Sequence, residues 1–284
     1  MEEILQQKIL QFKQPHRQAF SRRYPLLLPL IIFVKRLLKR AKNWRTIGRP
    51  LKKADYLPCV AARHSSLLYR KLGSSDPALQ IGKVHNLKLA VARIDRIVIR
   101  PGKTFSFWHQ IGSTGKRQGY VDGLVLSNGI AGKGVGGGLC QLANFLYWIV
   151  LHTDVEIVER HHHSIDAFPD SGRTLPFGSG ATVFHNYIDL QIKNVSQHPL
   201  QIKLWFTDEC LKGQILSDVP QEKKFHVIEK NHCFVRSGTD VFRYNELYRE
   251  TRVKGELVKE EQIVVNFAPV KYALSTSENV IQIS

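Results

Sequence analysis

Residues 132–153 read GKGVGGGLCQLANFLYWIVLHT, a glycine-rich run followed at once by an apolar one. Five of the seven residues from Gly132 to Gly138 are glycine, and Cys140 follows them. From Gln141 the chain stays almost wholly apolar as far as His152, which is long for a strand. A helix that is apolar on all sides is a buried helix. The stretch therefore predicts a central buried helix that follows a glycine-rich loop and carries a cysteine in its first turn.

The segments around this helix predict mostly strands. VHNLKLAVARI, from Val84, has apolar residues on one helical face and predicts a second helix, whereas residues 57–72 fit either a short strand or a helix. RIVIRPG, TFSFW and VEIVER predict short strands, and residues 109–137 look irregular apart from GLVLSNG. Six further strand candidates with turn signals between them follow from residue 181 onward. Strands around a central helix indicate an α+β fold with antiparallel strands packed on that helix.

The composition divides the chain into three parts. With 43% hydrophobic residues among 284, the chain can bury a sizeable core. Residues 1–56 read as a basic helical segment, residues 57–218 as the main domain, and residues 219–284 as a C-terminal β extension. We detect no internal repeat.

The positive charge is concentrated in the first of these parts. Residues 1–53 hold 14 Lys and Arg against 2 Glu, a net of +12 out of the total +17. From Leu30 onward, apolar residues follow helical spacing beside clustered Lys and Arg, which is typical of a helix lying on an anionic membrane surface. We therefore expect residues 30–53 to contact such a surface, or else to form a basic helix packed on its own domain. No nucleic-acid partner is expected, because no recognised motif accompanies the charge.

The sequence favours a cytoplasmic location, with peripheral attachment to the inner face of the membrane as the other option. Residues 1–20 are polar, and no small-residue cleavage pattern follows the apolar run, so no signal peptide is predicted. The four cysteines show no CxxC spacing, which suits a reducing compartment. We expect no cofactor and no metal.

Cys140 is the leading candidate for chemistry. A thiolate is the nucleophilic form of cysteine, and the first turn of a helix favours a negative charge through its free N–H groups and its dipole. Gly136, Gly137 and Gly138 would let the backbone approach a substrate carbonyl. The Gln141 side chain is a candidate donor to a developing oxyanion.

A cysteine nucleophile needs a base, and the base needs a third group to orient it. The histidines at 161–163 are candidate bases, and we select His163, with Arg160, His161 and Ser164 as candidate substrate contacts. The candidates for the orienting group are Asp166, Asp170, Asn186 and, preferred among them, Asp189. Two alternatives stay open: a Cys/His metal site and a purely structural cysteine.

Six blocks of sequence carry a resemblance to a known family. PGKTFSFW (101–108), GGGLCQ (136–141), LYWIVLHT (146–153), ERHHHS (159–164), GATV (180–183) and YIDLQIKN (187–194) resemble the VanW family in order and spacing. The resemblance extends over roughly residues 20–218 and leaves the tail outside it. Many relatives have Asp where this chain has Gly180.

The resemblance implies a link to peptidoglycan and to glycopeptide (vancomycin) resistance. Some secreted relatives are L,D-transpeptidases that use a cysteine, which by resemblance falls on Cys140, with its companion histidine on His163. The implied chemistry is acyl transfer on an amide of a stem peptide or peptidoglycan precursor. A non-catalytic accessory protein that binds such precursors is the alternative.

Overall fold

The structure is a computed structural model. It describes residues 1–14, 25–69, 77–127, 130–162, 165–166, 169, 174–185, 187–274 and 280–283. Within these ranges the chain forms five α-helices and thirteen strands in four sheets. The expected α+β class is confirmed.

The helices differ widely in length. They are α1 (Glu2–Lys13), α2 (Leu28–Thr46), α3 (Pro77–Ile94), α4 (Phe107–Ile111) and α5 (Leu139–Val150). The strands are short in the first two thirds of the chain and long near its end. They are β1 (Cys59–Leu67), β2 (Val98–Ile99), β3 (Thr104–Ser106), β4 (Asp122–Ser127), β5 (Ile130–Val135), β6 (Val155–Glu159), β7 (Gln191–Asn194), β8 (Leu200–Phe206), β9 (Cys210–Ser217), β10 (Lys223–Ser237), β11 (Asp240–Val253), β12 (Glu256–Pro269) and β13 (Val280–Gln282).

Helix α5 is the centre of the main core, as its sequence predicts. Leu142, Ala143 and Leu146 are fully buried in it, and Tyr147 is almost so. The helix packs against β1, β9 and α3. An apolar helix is stable only when other elements cover it, and here the sheet that contains β1 and β9 does so together with α3.

Two antiparallel sheets contribute residues to the same core as this helix. One has the order β1-β9-β8-β2, and the other has the order β3-β7-β6. The ambiguous segment 57–72 contains a strand, β1, because it pairs with β9 along its length. A third sheet, with the order β12-β11-β10-β13, is built from the C-terminal strands; only its β10–β13 pair is parallel.

Four predicted elements need correction. The segment 109–137 is not irregular, since β4 and β5 form a hairpin within it. TFSFW is a strand only as far as Ser106, whose side chain accepts a hydrogen bond from the N–H of His109 and caps the short helix α4. The helix expected from Val84 begins earlier, at Pro77, and the strand expected from residue 181 is confined to Gln191–Asn194.

The basic N-terminal segment contains two helices, α1 and α2, which pack on different sheets. Helix α1 packs on the C-terminal sheet, where Leu5 and Ile9 are buried and the Phe12 ring meets Phe242 edge-on at 5.0 Å. Helix α2 lies instead against the sheet that contains β3 and β7, through Asn43. No helix in the described part of the chain is long and apolar enough to span a membrane.

Candidate functional site

The glycine-rich loop before Cys140 is held by close backbone contacts. A Cβ atom at Gly137 would lie 2.3 Å from the carbonyl oxygen of Gly123, on strand β4. Gly138 has φ +98°, and a Cβ atom there would lie 2.0 Å from Cγ of Lys83. The buried amide of Asn86 donates to the Gly137 carbonyl at 3.0 Å. The glycines are required here because the loop presses against α3 and β4.

Cys140 lies in the first turn of α5, and Gly138 is the N-cap residue. Its side chain is half-buried. The sulfur lies 3.5 Å from the hydroxyl of Thr182 and donates to the carbonyl oxygen of Val183 at 3.5 Å. The Val183 carbonyl accepts from the protonated thiol, whereas the Thr182 hydroxyl can donate to a thiolate. Residues 182–183 therefore form the wall that faces the sulfur.

The Gln141 side chain is used within the fold. Its amide nitrogen donates to the hydroxyl of Ser66 at 3.1 Å and to the carbonyl of Leu67 at 2.8 Å. These two bonds tie the start of α5 to the end of β1. Both amide hydrogens are thus engaged in this structure, and an oxyanion would have to displace one of these partners.

The backbone of His161 pairs with Thr182, whose hydroxyl contacts the Cys140 sulfur. His161 and Thr182 form an antiparallel β-bridge in which the Thr182 N–H donates to the His161 carbonyl at 2.7 Å. The exposed His161 ring contacts a carboxylate oxygen of Glu159 at 3.3 Å. His163 and Ser164, and the alternative orienting residues Asp170 and Asn186, lie outside the described residues. Their predicted roles stay predictions.

Asp189 is buried and joins two of the blocks that resemble the VanW family. One of its carboxylate oxygens accepts from the N–H groups of Trp108 and Leu190, and the other accepts from the Ser106 hydroxyl and the Gln191 amide. Burial raises the pKa of this carboxyl, and the hydrogen bonds from Ser106, Trp108 and Gln191 oppose that rise. Four donors occupy the lone pairs of one carboxylate, so these contacts leave no position for an imidazole.

Arg160 also bonds within the fold. Its guanidinium donates to the carbonyls of Gly178 and Gly180 and lies 4.8 Å from the centre of the Tyr147 ring. Burial lowers the pKa of Arg160. The residue thus connects α5 to the segment that leads into the wall beside Cys140, and its donors are turned toward backbone carbonyls.

Gly180 packs against α5. The Asn144 side-chain oxygen accepts from the Ala181 N–H at 2.6 Å, and it would lie 2.7 Å from a Cβ atom at Gly180. A side chain at position 180 would therefore push Asn144 away. In this chain the wall at residues 181–183 is held by Asn144 rather than by a carboxylate at 180.

Thr182 and Glu159 were not among the predicted site residues. GATV is one of the six blocks, but only the β-bridge to His161, which joins residues 21 positions apart, places Thr182 against the sulfur. Glu159 accepts from the Asp189 N–H at 3.2 Å and forms an ion pair with Lys39 of α2. It links the histidine segment to the basic helix.

Asp166 is bonded to the C-terminal sheet and to the residues that follow it. Asp166 pairs through its backbone with Pro269 and Lys271, and its carboxylate forms an ion pair with buried Arg243 at 3.2 Å. The Tyr272 hydroxyl donates to the same carboxylate oxygen at 2.8 Å. Asp166, one of the alternative orienting residues, is therefore bonded to the C-terminal strands.

The described residues offer little for a metal ion or a small ligand near Cys140. Within the ranges that the structure describes, no three His, Cys, Asp or Glu side chains come together as a metal site. A cleft of about 430 Å³ is lined by Lys116 and by residues 119–122. None of the predicted site residues lines it.

Two known proteins and one protein family resemble this chain over different parts of its length. Residues 82–216 match a family described as "VanW like protein". The vancomycin B-type resistance protein VanW of Enterococcus faecalis is 28% identical over 274 residues, which cover 93% of this chain and 98% of that protein. The uncharacterized protein YoaR of Bacillus subtilis is 31% identical over 122 residues, 42% of this chain and 38% of that protein. No solved structure shows significant similarity.

The matched family region contains Cys140, the histidine segment and the wall at residues 181–183. These features define an α+β protein with a cysteine at the head of a buried helix. The region at residues 82–216 belongs to the VanW family. An alignment covering 93% of the chain must also include most of residues 219–284, so the resemblance does not stop near residue 218.

Proposed function

We propose that this protein acts in cell-wall metabolism and contributes to glycopeptide resistance. The similarity to the vancomycin B-type resistance protein VanW, over nearly the full length of both chains, supports the proposal. We place it in the cytoplasm, where its four free cysteines suit a reducing compartment. Its substrate would then be a peptidoglycan precursor rather than the external polymer.

We further propose that the chemistry is acyl transfer by Cys140 on an amide of a stem peptide. One observation carries this proposal: the Cys140 sulfur lies in the first turn of α5, half-buried, against the Thr182 hydroxyl. The helix N-terminus and that hydroxyl both favour a negative sulfur. A catalytic thiol needs such surroundings, whereas an inert one is commonly buried among apolar groups.

The proposed reaction has two steps. A base, His163 by resemblance, takes the thiol proton, and the thiolate attacks the amide carbonyl carbon to form a C–S bond. The C–N bond then breaks, the amine leaves with the proton from the imidazolium, and a thioester remains on Cys140. A second amine or water attacks the carbonyl carbon of that thioester and gives one proton to the neutral imidazole. The C–S bond breaks, the sulfur leaves as thiolate, and the imidazolium returns the proton to it.

A specific observation favours a second candidate, a non-catalytic binding protein for the same precursors. The side chains of Gln141, Arg160 and Asp189, all predicted to act on substrate or base, donate or accept inside the fold. Because these polar groups hold the protein together, they are not available as catalytic groups. A binding protein does not need them, since backbone N–H groups can bind a peptide.

The experiment incubates the purified protein with synthetic stem-peptide amides and follows the intact mass. Acyl transfer predicts a thioester adduct on the wild type and on Cys210→Ser, a control at another half-buried cysteine, but none on Cys140→Ser. His163→Gln should slow adduct formation by about 10²- to 10⁴-fold. An adduct retained by Cys140→Ser, or none on any variant, contradicts the enzyme proposal. Calorimetric binding of the peptide by Cys140→Ser without an adduct on the wild type supports the binding protein.

A further inference from the structure

Helix α2 turns a polar stripe toward the rest of the protein. Arg36, Lys39 and Asn43 lie on one side of the helix, three or four residues apart. Arg36 donates to the carbonyl of His185 at 3.3 Å, and Lys39 forms its ion pair with Glu159. The buried Asn43 amide donates to Ser106 and accepts from Gln191. These polar contacts fix which side of the helix faces outward.

The outward side is apolar. Most of its large side chains are more than half exposed: Leu30 59%, Phe33 63%, Leu37 57%, Leu38 64% and Trp44 57%. Leu30, Phe33 and Leu37 recur at spacings of three and four residues, and Trp44 follows seven residues after Leu37, so these four side chains form one stripe along the helix. A helix on a soluble domain normally buries its apolar side and exposes its polar side. Helix α2 does the opposite.

Cations lie along the margins of this stripe. Lys35, Arg40, Lys42 and Arg45 are exposed, and residues 28–53 contain no Asp or Glu. Trp44 lies among these cations, at the basic end of the helix. An apolar stripe bordered by Lys and Arg, with Trp near the polar boundary, is the arrangement of helices that lie in the interface of an anionic bilayer.

We propose that the outer face of α2 binds an anionic lipid surface. Its apolar side chains enter the interface, and the bordering Lys and Arg contact negative headgroups. A second copy of this chain is a poorer occupant, because a twofold contact would bring two faces of the same positive sign together without any carboxylate between them.

The contacts between α2 and the domain also connect this surface to Cys140. Lys39 contacts Glu159, which contacts His161, and His161 pairs with Thr182 beside the sulfur. Lipid binding would therefore hold the Cys140 region near the bilayer. The lipid proposal rests on α2 alone and stands whether or not Cys140 is catalytic.

The experiment measures co-sedimentation of the full chain with vesicles of phosphatidylcholine mixed with phosphatidylglycerol, and with phosphatidylcholine alone. We expect binding to the mixed vesicles, weakened by salt, and little binding to the neutral ones. The Trp44 emission should shift to shorter wavelength on binding. Trp44→Phe should remove most of that shift while the protein still sediments.

Matched variants separate the apolar contribution from the charge. Phe33→Ser with Leu37→Ser should weaken binding by at least about tenfold, because two large apolar side chains no longer enter the interface. Leu257→Ser with Val258→Ser, at exposed apolar positions on β12, should leave binding unchanged. Arg40→Gln and Arg45→Gln should each weaken binding about fivefold, which corresponds to one cation near an anionic surface.

Three results would overturn the proposal. One is no sedimentation with mixed vesicles at low salt. A second is equal loss of binding in the β12 control and in the Phe33/Leu37 variant. The third is a concentration-dependent dimer in sedimentation velocity that the Phe33/Leu37 variant abolishes, since the face would then join two copies of this chain.

Discussion

Helices α5 and α2 are both rich in large apolar residues, yet α5 is buried in the main core and α2 exposes its apolar side. In α5 apolar residues occupy every side, and the sheets and α3 cover them. In α2 one side carries Arg36, Lys39 and Asn43, which find partners on the domain. These polar contacts, rather than burial of apolar side chains, determine which side of α2 faces the domain.

The difference separates two uses of apolar surface. Burial of α5 stabilises the fold and places Cys140 where the helix begins. The exposed stripe of α2 contributes nothing to the fold in water and is available to a partner. Substitutions in the two helices should therefore differ sharply in their effect on stability.

The largest expected effect comes from truncating the same residue type in both helices. Phe145→Ala in α5 should lower the free energy of unfolding by about 3–5 kcal/mol, because it leaves a cavity in the main core. Phe33→Ala in α2 should change it by less than about 0.5 kcal/mol. Denaturant titration of both variants measures the two values. Similar losses would contradict the contrast between the helices.

The loop before α5 provides a second test. Gly137→Ala should cost about 3 kcal/mol, since the new Cβ atom would overlap the Gly123 carbonyl. Gly132→Ala, in the same glycine-rich run, has 3.9 Å of clearance from the Val125 oxygen and is the control. Thermal unfolding of the two variants checks this. If both melt alike, the packing of this loop on β4 does not hold α5 in place.

Asp189 holds together Ser106 and Gln191, the residues that bond to Asn43 of α2. Asp189→Asn replaces one acceptor oxygen with a donor and leaves some of its four donors unpaired, so it should destabilise the protein by about 2 kcal/mol. Asp208→Asn, at an exposed carboxylate, should change stability by less than about 0.5 kcal/mol. A fully stable Asp189→Asn protein with slowed adduct formation would instead indicate that Asp189 orients the base.

The smallest expected effect is a pH dependence of stability caused by His152, which follows the end of α5. Burial lowers the pKa of His152 below its ordinary value of 6.5, and nearby His226 and Arg249 lower it further, while its bond to the Trp148 carbonyl opposes this. The unfolded state then binds more protons, so stability is fully present above about pH 6.5 and falls as the pH drops below it. His152→Gln should reduce this slope. Unfolding measured across this range checks the sign, and a rise in stability on acidification would contradict it.

The sequence predicts elements whose pattern is local. Helix α5, its leading cysteine and the strands β6, β8 and β9 follow from apolar periodicity and turn residues. The β4–β5 hairpin was not predicted, because glycines interrupt the apolar pattern of its strands. Its packing also depends on Gly137, which lies after the hairpin in sequence and packs closely against Gly123 of β4. The sequence predicts the apolar periodicity of α2, and of its two alternatives the structure shows packing on the domain. Contact with a membrane surface stays a prediction.

The candidate site shows the same limit. The position of Cys140 follows from one stretch of sequence, whereas the internal bonds of Gln141, Arg160 and Asp189 depend on residues 18 to 83 positions away. Thr182 became visible only through its bridge to His161. A residue type can indicate what chemistry is possible, but distant partners determine whether its polar atoms are already engaged.

The most direct measurement is the rate at which iodoacetamide modifies each cysteine in the native protein, followed by peptide mass spectrometry. Cys59, Cys140 and Cys210 are all half-exposed, so accessibility alone predicts similar rates. A sulfur activated at the head of α5 should react at least about tenfold faster than the other two near neutral pH. Equal rates at the three sites, or a slower Cys140, would contradict the claim that α5 presents a reactive nucleophile.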